Sequence, residues 1–229
     1  MMQDSSRYNV TSMAAEQSGR EDNRKENISY SQIELIYFDA GDVLYRLSDG
    51  LQFLSQKVGI AYKECKSILL DVDDAICRGE ANPQQLWYRI KDAANYQGED
   101  LDIVSFWVDH FIPIPEVHDL VRDLSKDRLV GLLTNIYPGA FRQALKKGKI
   151  PNIPYICVIQ SCEVNSVKPD PKIYELAEIS ANKKPERILF IDNNLQCLMP
   201  AKLRGWNTFL IEPKKIEQNV MTLRASFGI

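Results

Sequence analysis

Five polar side chains follow apolar, strand-like stretches of the sequence and could together act on a phosphate group. Asp39 lies at the end of "IELIYFDA", Thr134 and Asn135 at the end of "LVGLLTN", and Asp192 near the end of "RILFIDN", while Lys168 lies in "SVKPDPKIY". Two carboxylates can share Mg²⁺, which prefers oxygen ligands. The lysine and threonine can hold phosphoryl oxygens, and an aspartate can attack phosphorus to form an aspartyl-phosphate. If these side chains converge, they predict a site for phosphoryl transfer.

The elements that must bring these side chains together are short apolar runs, most of them separated by helical patterns. The runs are "IELIYFDA", "LVGLLTN", "YICVIQS", "RILFIDN" and "TFLIE". Nearly continuous apolar strands alternating with helices are typical of parallel sheets covered on both faces. The pattern therefore predicts an α/β fold with a doubly wound, Rossmann-like parallel sheet of about five strands. Ligand sites in such sheets lie beyond the carboxyl ends of the strands, where the polar side chains occur.

The interval between the first and second predicted strands is too long for one crossover helix. It contains several amphipathic patterns, including "YKECKSILLDVDDAI" and "NPQQLWYRIKDAA". We therefore predict an all-helical cap over residues 47–114, inserted after the first strand of a core formed by residues 31–46 and 115–229. Low hydrophobicity predicts a flexible tail over residues 1–30.

Four motifs in this order resemble those of the haloacid dehalogenase-like superfamily, in its phosphatase branch with a helical cap. The matching strings are "YFDAGDVL", "LLTN", "KPDPKIY" and "FIDNN". Each string alone is weak evidence for the family, because an aspartate at a strand end is often a turn residue and a lone lysine is often exposed to solvent. The ordered set at suitable spacing is a strong resemblance.

The resemblance implies a role for each matching residue. Asp39 would be the nucleophile, and Lys168 would offset charge around it and the transferring phosphoryl group. The phosphate would be contacted by three side chains, namely Thr134, Asn135 and Lys168. Mg²⁺ would be the cofactor, held by Asp39, the backbone carbonyl of Gly41 and Asp192.

One position departs from the common phosphatase pattern. Most of these phosphatases carry a second aspartate two residues after the nucleophile as general acid and base, and this chain has Gly41 there. Asp42 does not replace it, because alternate residues of an extended segment share a face. The departure resembles a subgroup with an Asp-x-Gly motif that includes sugar-1-phosphate phosphatases. Without that acid, a substrate with a good leaving group is favoured.

The function implied is that of a Mg²⁺-dependent phosphatase acting on a small phosphorylated metabolite, such as a sugar phosphate, through an aspartyl-phosphate. Two alternatives stay open. A 2-haloacid dehalogenase also lacks the second aspartate, although it needs no metal, and retention of Asp192 favours phosphate chemistry. A catalytically weak protein with a binding or regulatory role is the other alternative.

Composition narrows the classes of partner. The 229 residues are 45% hydrophobic and 26% charged, as in globular domains, and carry a net charge of −3. The chain has no excess of positive charge that would attract nucleic acid, and no apolar run reaches the length of a membrane helix. Five scattered cysteines without a paired motif predict reduced thiols and a cytoplasmic location.

Overall fold

The computed structural model describes residues 30–47 and 50–229, so the predicted tail over residues 1–30 lies outside the described residues except for Tyr30. A five-stranded parallel sheet forms the centre, in the order β5-β4-β1-β6-β7. Its strands are β1 (Leu35–Phe38), β4 (Leu129–Thr134), β5 (Cys157–Gln160), β6 (Ile188–Asp192) and β7 (Asn207–Leu210). The predicted doubly wound sheet is confirmed.

Both faces of the sheet are covered, which explains the continuous apolar strands. The covering helices are α5 (Pro115–Leu124), α6 (Ala140–Lys146), α7 (Ser161–Val164), α8 (Pro171–Ala181), α9 (Leu195–Leu203) and α10 (Ile216–Phe227). Along β1, Ile36 and Phe38 belong to one buried cluster and Leu35 and Tyr37 to another. Successive residues of a strand point to opposite faces, so β1 is buried on both sides.

Between β1 and α5 the chain is mostly helical, as predicted. It forms β2 (Tyr45–Leu47), α1 (Gly50–Val58), α2 (Tyr62–Cys77), α3 (Gln84–Ala93), α4 (Ile103–Asp109) and β3 (Phe111–Pro113). The antiparallel pair β2–β3 was not predicted, so this segment is not entirely helical. Strands of three residues are too short for a period-2 pattern to show. The rings of Tyr45 and Phe111 stack across the pair with centroids 4.0 Å apart.

The end of α2 is fixed closely to the core. Ser161 Oγ donates to the carbonyl of Cys77 at 2.6 Å, and Asn165 Nδ2 donates to the carbonyl of Arg78 at 2.9 Å. Gly79 has a φ of +73°, and a Cβ there would lie 2.2 Å from the carbonyl oxygen of Cys162. A glycine is therefore required both by the backbone conformation and by the close approach of α7.

No helix in the described parts of the chain is both long enough and apolar enough to span a lipid bilayer.

Candidate active site

The pairing of β1 with β6 places two carboxylates side by side at the carboxyl edge of the sheet. Phe38 and Ile191 are register partners, and the next residues along the two strands are Asp39 and Asp192. The backbone N–H of Asp39 donates to the carbonyl of Ile191 at 2.9 Å, which continues the ladder to the strand end. The two acids are thus positioned side by side by the pairing of β1 with β6.

Lys168 lies between these two carboxylates. Its Nζ is 2.8 Å from Asp39 Oδ1 and 2.6 Å from Asp192 Oδ2, and its side chain is only 3% exposed. Burial lowers the pKa of Lys168, but the charges of the two aspartates outweigh burial and raise it to about 12. The ammonium is therefore charged at neutral pH. The predicted convergence of these three side chains is what the structure shows.

Asp192 is the more enclosed of the two acids. Its Oδ1 accepts the backbone N–H of Asn194 at 2.7 Å, and its side chain is 1% exposed, against 12% for Asp39. Burial, followed by repulsion from Asp39, raises the pKa of Asp192, while Lys168 acts in the opposite direction. One ammonium does not neutralise two carboxylates, so a further cation at this place would be stabilised.

The donors present fit Mg²⁺. Among the described residues no cluster of three or more histidine, cysteine or acidic side chains could hold a metal, so the protein ligands at this place would be the two carboxylates and backbone oxygen. Mg²⁺ is commonly bound by one or two carboxylates while it keeps waters and contacts substrate phosphate. Asp39 and Asp192, with the backbone carbonyl of Gly41, would be the protein ligands.

Asn135 holds the loop that carries Lys168. Its Oδ1 accepts the backbone N–H of Lys168 at 2.8 Å, and its Nδ2 donates to the carbonyl of the same residue at 3.0 Å. The side chain predicted to contact phosphate thus positions the lysine here, and phosphate contact by Asn135 stays a prediction. Thr134, the last residue of β4, is 1% exposed, and its hydroxyl makes only a 3.5 Å contact with the carbonyl of Asn135.

Gly41 and Asp42 form part of a tight turn after β1. Asp42 adopts a φ of +55°, and its Oδ1 accepts the backbone N–H of Leu47 at 3.0 Å. Its carboxylate stabilises the turn. A Cβ on Gly41 would meet only the side chain of Leu47, at 3.7 and 3.9 Å, which is ordinary contact. Position 41 therefore has room for a side chain, and the glycine is not explained by crowding.

A cavity of about 580 Å³ opens onto this edge of the sheet. Gly41, Asn135 and Lys168 border it from the strand ends, and α1, α2 and α4 supply much of the opposite wall. Sequence reasoning did not find two residues that line this cavity, Asp73 of α2 and Tyr137 of the loop after β4, whose side chains are joined by a 2.5 Å hydrogen bond. Tyr137 follows Asn135 by two residues, and this closeness in sequence to a predicted site residue is the signal that could have identified it.

Solved structures of haloacid dehalogenase family enzymes share the fold of this chain. A haloacid dehalogenase family enzyme of Bacteroides thetaiotaomicron superimposes with a TM-score of 0.67 at 20% identity, over 79% of this chain and 94% of that one. The L-2-haloacid dehalogenase of Xanthobacter autotrophicus gives a TM-score of 0.55 at 17% identity, over 78% and 77% of the two chains. At these identities the likeness shows the fold.

Sequence comparison is more specific about the family. Bifunctional epoxide hydrolase 2 of Rattus norvegicus is 35% identical over 54 residues, which is 24% of this chain and only 10% of that protein's length. The sequence model of the haloacid dehalogenase-like hydrolases matches residues 33–201, a span that includes Asp39, Lys168 and Asp192. The chain belongs to the haloacid dehalogenase-like hydrolase family.

Proposed function

We propose that this hydrolase is a Mg²⁺-dependent phosphatase of the capped, Asp-x-Gly subgroup, acting on a small phosphorylated metabolite. Residues 31–46 and 115–229 would form the catalytic core and residues 47–114 the cap. The observation that carries the proposal is the buried ammonium of Lys168 held between Asp39 and Asp192, at 2.8 and 2.6 Å. An acid pair sharing one cation at a strand edge is suited to a phosphoryl group and a divalent ion.

In the first step a carboxylate oxygen of Asp39 forms a bond to phosphorus while the bond from phosphorus to the leaving oxygen breaks. Lys168 offsets the charge on the equatorial phosphoryl oxygens, and the Thr134 hydroxyl would donate to one of them. The leaving oxygen takes its proton from solvent, because Gly41 carries no acid. Mg²⁺, when bound, would supply further positive charge to the phosphoryl oxygens.

In the second step water attacks the phosphorus of the aspartyl-phosphate, inorganic phosphate leaves, and the carboxylate of Asp39 is restored. The structural neighbour from Bacteroides thetaiotaomicron has also been solved in a complex with magnesium and inorganic phosphate. That complex belongs to the neighbour, and it supports a search for the same two ligands here.

A second candidate function is 2-haloacid dehalogenation. The observation that favours it is the lack of a carboxylate at position 41, together with the fold shared with an L-2-haloacid dehalogenase. Asp39 would then displace halide from carbon, and no metal would be needed. Release of chloride from 2-chloropropionate in EDTA, without any phosphate release from esters, would favour this candidate.

A panel of phosphate esters assayed with and without Mg²⁺ tests the proposal. Wild-type protein should release phosphate only with Mg²⁺, and Asp39→Asn should abolish release. Asp42→Asn is the matched control, because asparagine also tolerates a positive φ and can accept the hydrogen bond from Leu47. Phosphate release that persists in Asp39→Asn, or that is lost equally in Asp42→Asn, would overturn the assignment of the nucleophile.

A further inference from the structure

The cap-side wall of the 580 Å³ cavity is mainly apolar. Leu51 comes from α1, Leu69 and Leu70 from α2, and Val104 and Trp107 from α4. This wall faces the site edge, where Gly41 and Lys168 border the same cavity. A group attached to a phosphate that is bound near Lys168 would therefore lie against hydrocarbon and indole surface.

Most polar side chains in the cavity wall already have partners within the protein. Asp73 accepts the hydroxyl of Tyr137 at 2.5 Å, and Asp74 accepts Nε of Arg78 at 2.7 Å. The ring Nδ1 of His110 is 2.7 Å from a backbone carbonyl of its own helix. Against the leucine, valine and indole surface of this wall a polyhydroxylated ligand would leave hydroxyl groups unpaired, and each buried unpaired group is costly.

The charged side chains of the cavity wall also favour an uncharged leaving group. Lys66 is the cation that α2 adds to the wall, and its side chain is exposed. The charge of Asp74 is offset by its ion pair with Arg78, at 2.7 Å, whereas the carboxylate of Asp73, bound to the neutral hydroxyl of Tyr137, would repel a second anionic group on the leaving side of the substrate. An uncharged leaving group fits this wall better than a carboxylate or a second phosphate.

We propose that the substrate is a phosphate monoester whose leaving group is uncharged and largely hydrocarbon, aliphatic or aromatic, and is held by this cavity. The inference rests on the proposed phosphatase function and narrows its substrate class away from sugars. The volume lies within the range of about 300–1,000 Å³ that is usual for small-molecule sites. Apolar burial in such a cavity gains free energy roughly in proportion to the hydrocarbon area covered.

Two primary alkyl phosphates of similar shape test the inference. Cyclohexylmethyl phosphate and glucose 6-phosphate both release a primary alcohol, so the missing acid at Gly41 affects both alike. We expect kcat/KM for the cyclohexylmethyl ester to exceed that for the sugar by about tenfold or more, the scale of hydrocarbon discrimination in enzymes. Equal values, or a preference for the sugar, would overturn the inference while leaving the phosphatase function intact.

A pair of variants assigns the effect to the cavity. Leu70 borders the cavity and is 65% exposed, and Leu203 on α9 is 82% exposed and does not border it, so Leu→Asn at either position leaves the core unchanged. Leu70→Asn should lower kcat/KM for cyclohexylmethyl phosphate several-fold more than for methyl phosphate, and Leu203→Asn should change neither. An equal fall for both esters in Leu70→Asn would contradict a contact with the leaving group.

Binding of phosphonates separates failure of the inference from failure of the proposed function. If no ester is hydrolysed with Mg²⁺, including p-nitrophenyl phosphate, the phosphatase function fails. Calorimetry with cyclohexylmethylphosphonate and methylphosphonate then tests the cavity alone. Binding of the larger phosphonate that is tighter by about tenfold supports an apolar ligand. Equal binding, or none, overturns it.

Discussion

Placing an acid at position 41 should raise the turnover of esters with poor leaving groups. Gly41 follows the proposed nucleophile by two residues and borders the same cavity as Lys168, so a side chain there would lie beside the site. The backbone at Gly41 does not have a positive φ, and an added Cβ would lie 3.7 Å from the nearest side-chain atom, on Leu47. Gly41→Asp is therefore compatible with the fold and keeps the backbone carbonyl proposed as a metal ligand.

The size of the effect follows from what the acid supplies. Proton transfer by a positioned side chain contributes about 10²–10⁴ in rate. An aspartate added to a site not otherwise adapted to it should recover no more than the lower limit of this range, about tenfold to 10²-fold for an alkyl phosphate. The phenolate of an aryl phosphate leaves without taking up a proton, so the rate of the first step for an aryl ester should change little.

The assay is steady-state phosphate release from ethyl phosphate and p-nitrophenyl phosphate, compared among wild type, Gly41→Asp and Gly41→Asn. The asparagine variant matches the aspartate in size but has no proton to give. We expect the ratio of the alkyl rate to the aryl rate to rise only in Gly41→Asp. Identical ratios in the two variants would refute the explanation that a missing acid limits this enzyme.

Three further predictions follow from the same structure. Without an acid at position 41, wild-type protein should turn over p-nitrophenyl phosphate about 10²-fold or more faster than ethyl phosphate, and equal rates would contradict this. Gly79→Ala should lower the free energy of unfolding by about 2–5 kcal/mol, the sum of positive-φ strain and overlap with the carbonyl of Cys162. Gly59→Ala, at a φ of +81° with open space around it, should cost only about 1–2 kcal/mol; equal losses in urea unfolding would show that the contact with Cys162 is not tight. Burial lowers the pKa of His118 below 6.5 despite its hydrogen bond to the carbonyl of Leu44. The unfolded chain then takes up the proton first, so stability should be lost as the pH falls below 6.5, and His118→Gln should reduce that loss; an NMR titration giving a pKa above 6.5 would contradict it.

The sheet and the acids at its edge could be predicted from the sequence because their signals are local. Continuous apolar runs identify strands buried on both faces, and parallel strands bring their carboxyl ends to one edge. Asp39 and Asp192 are therefore expected at one edge, and the pairing of β1 with β6 makes them neighbours. Lys168 was located by its motif, and its place between the two acids is a tertiary fact that the structure supplies.

Other features depend on contacts between distant residues, which no local pattern records. The side chain of Asn135 binds the backbone of Lys168 across 33 residues, and Tyr137 binds Asp73 across 64. The second contact also requires α2 to pack against the loop after β4. The strands β2 and β3 are each three residues long, which is too short for an alternating apolar pattern to be recognised. They also pair across most of the interval between β1 and α5, so no local signal predicts their contact.

Covalent capture of the proposed intermediate tests the role of Asp39 most directly. The protein is mixed with p-nitrophenyl phosphate and Mg²⁺, quenched in acid within milliseconds, digested, and examined by peptide mass spectrometry. We expect one phosphoryl group on Asp39, absent when Mg²⁺ is omitted. Phosphate release in the same mixture with no label on Asp39, or with the label on another residue, would contradict nucleophilic attack by this carboxylate.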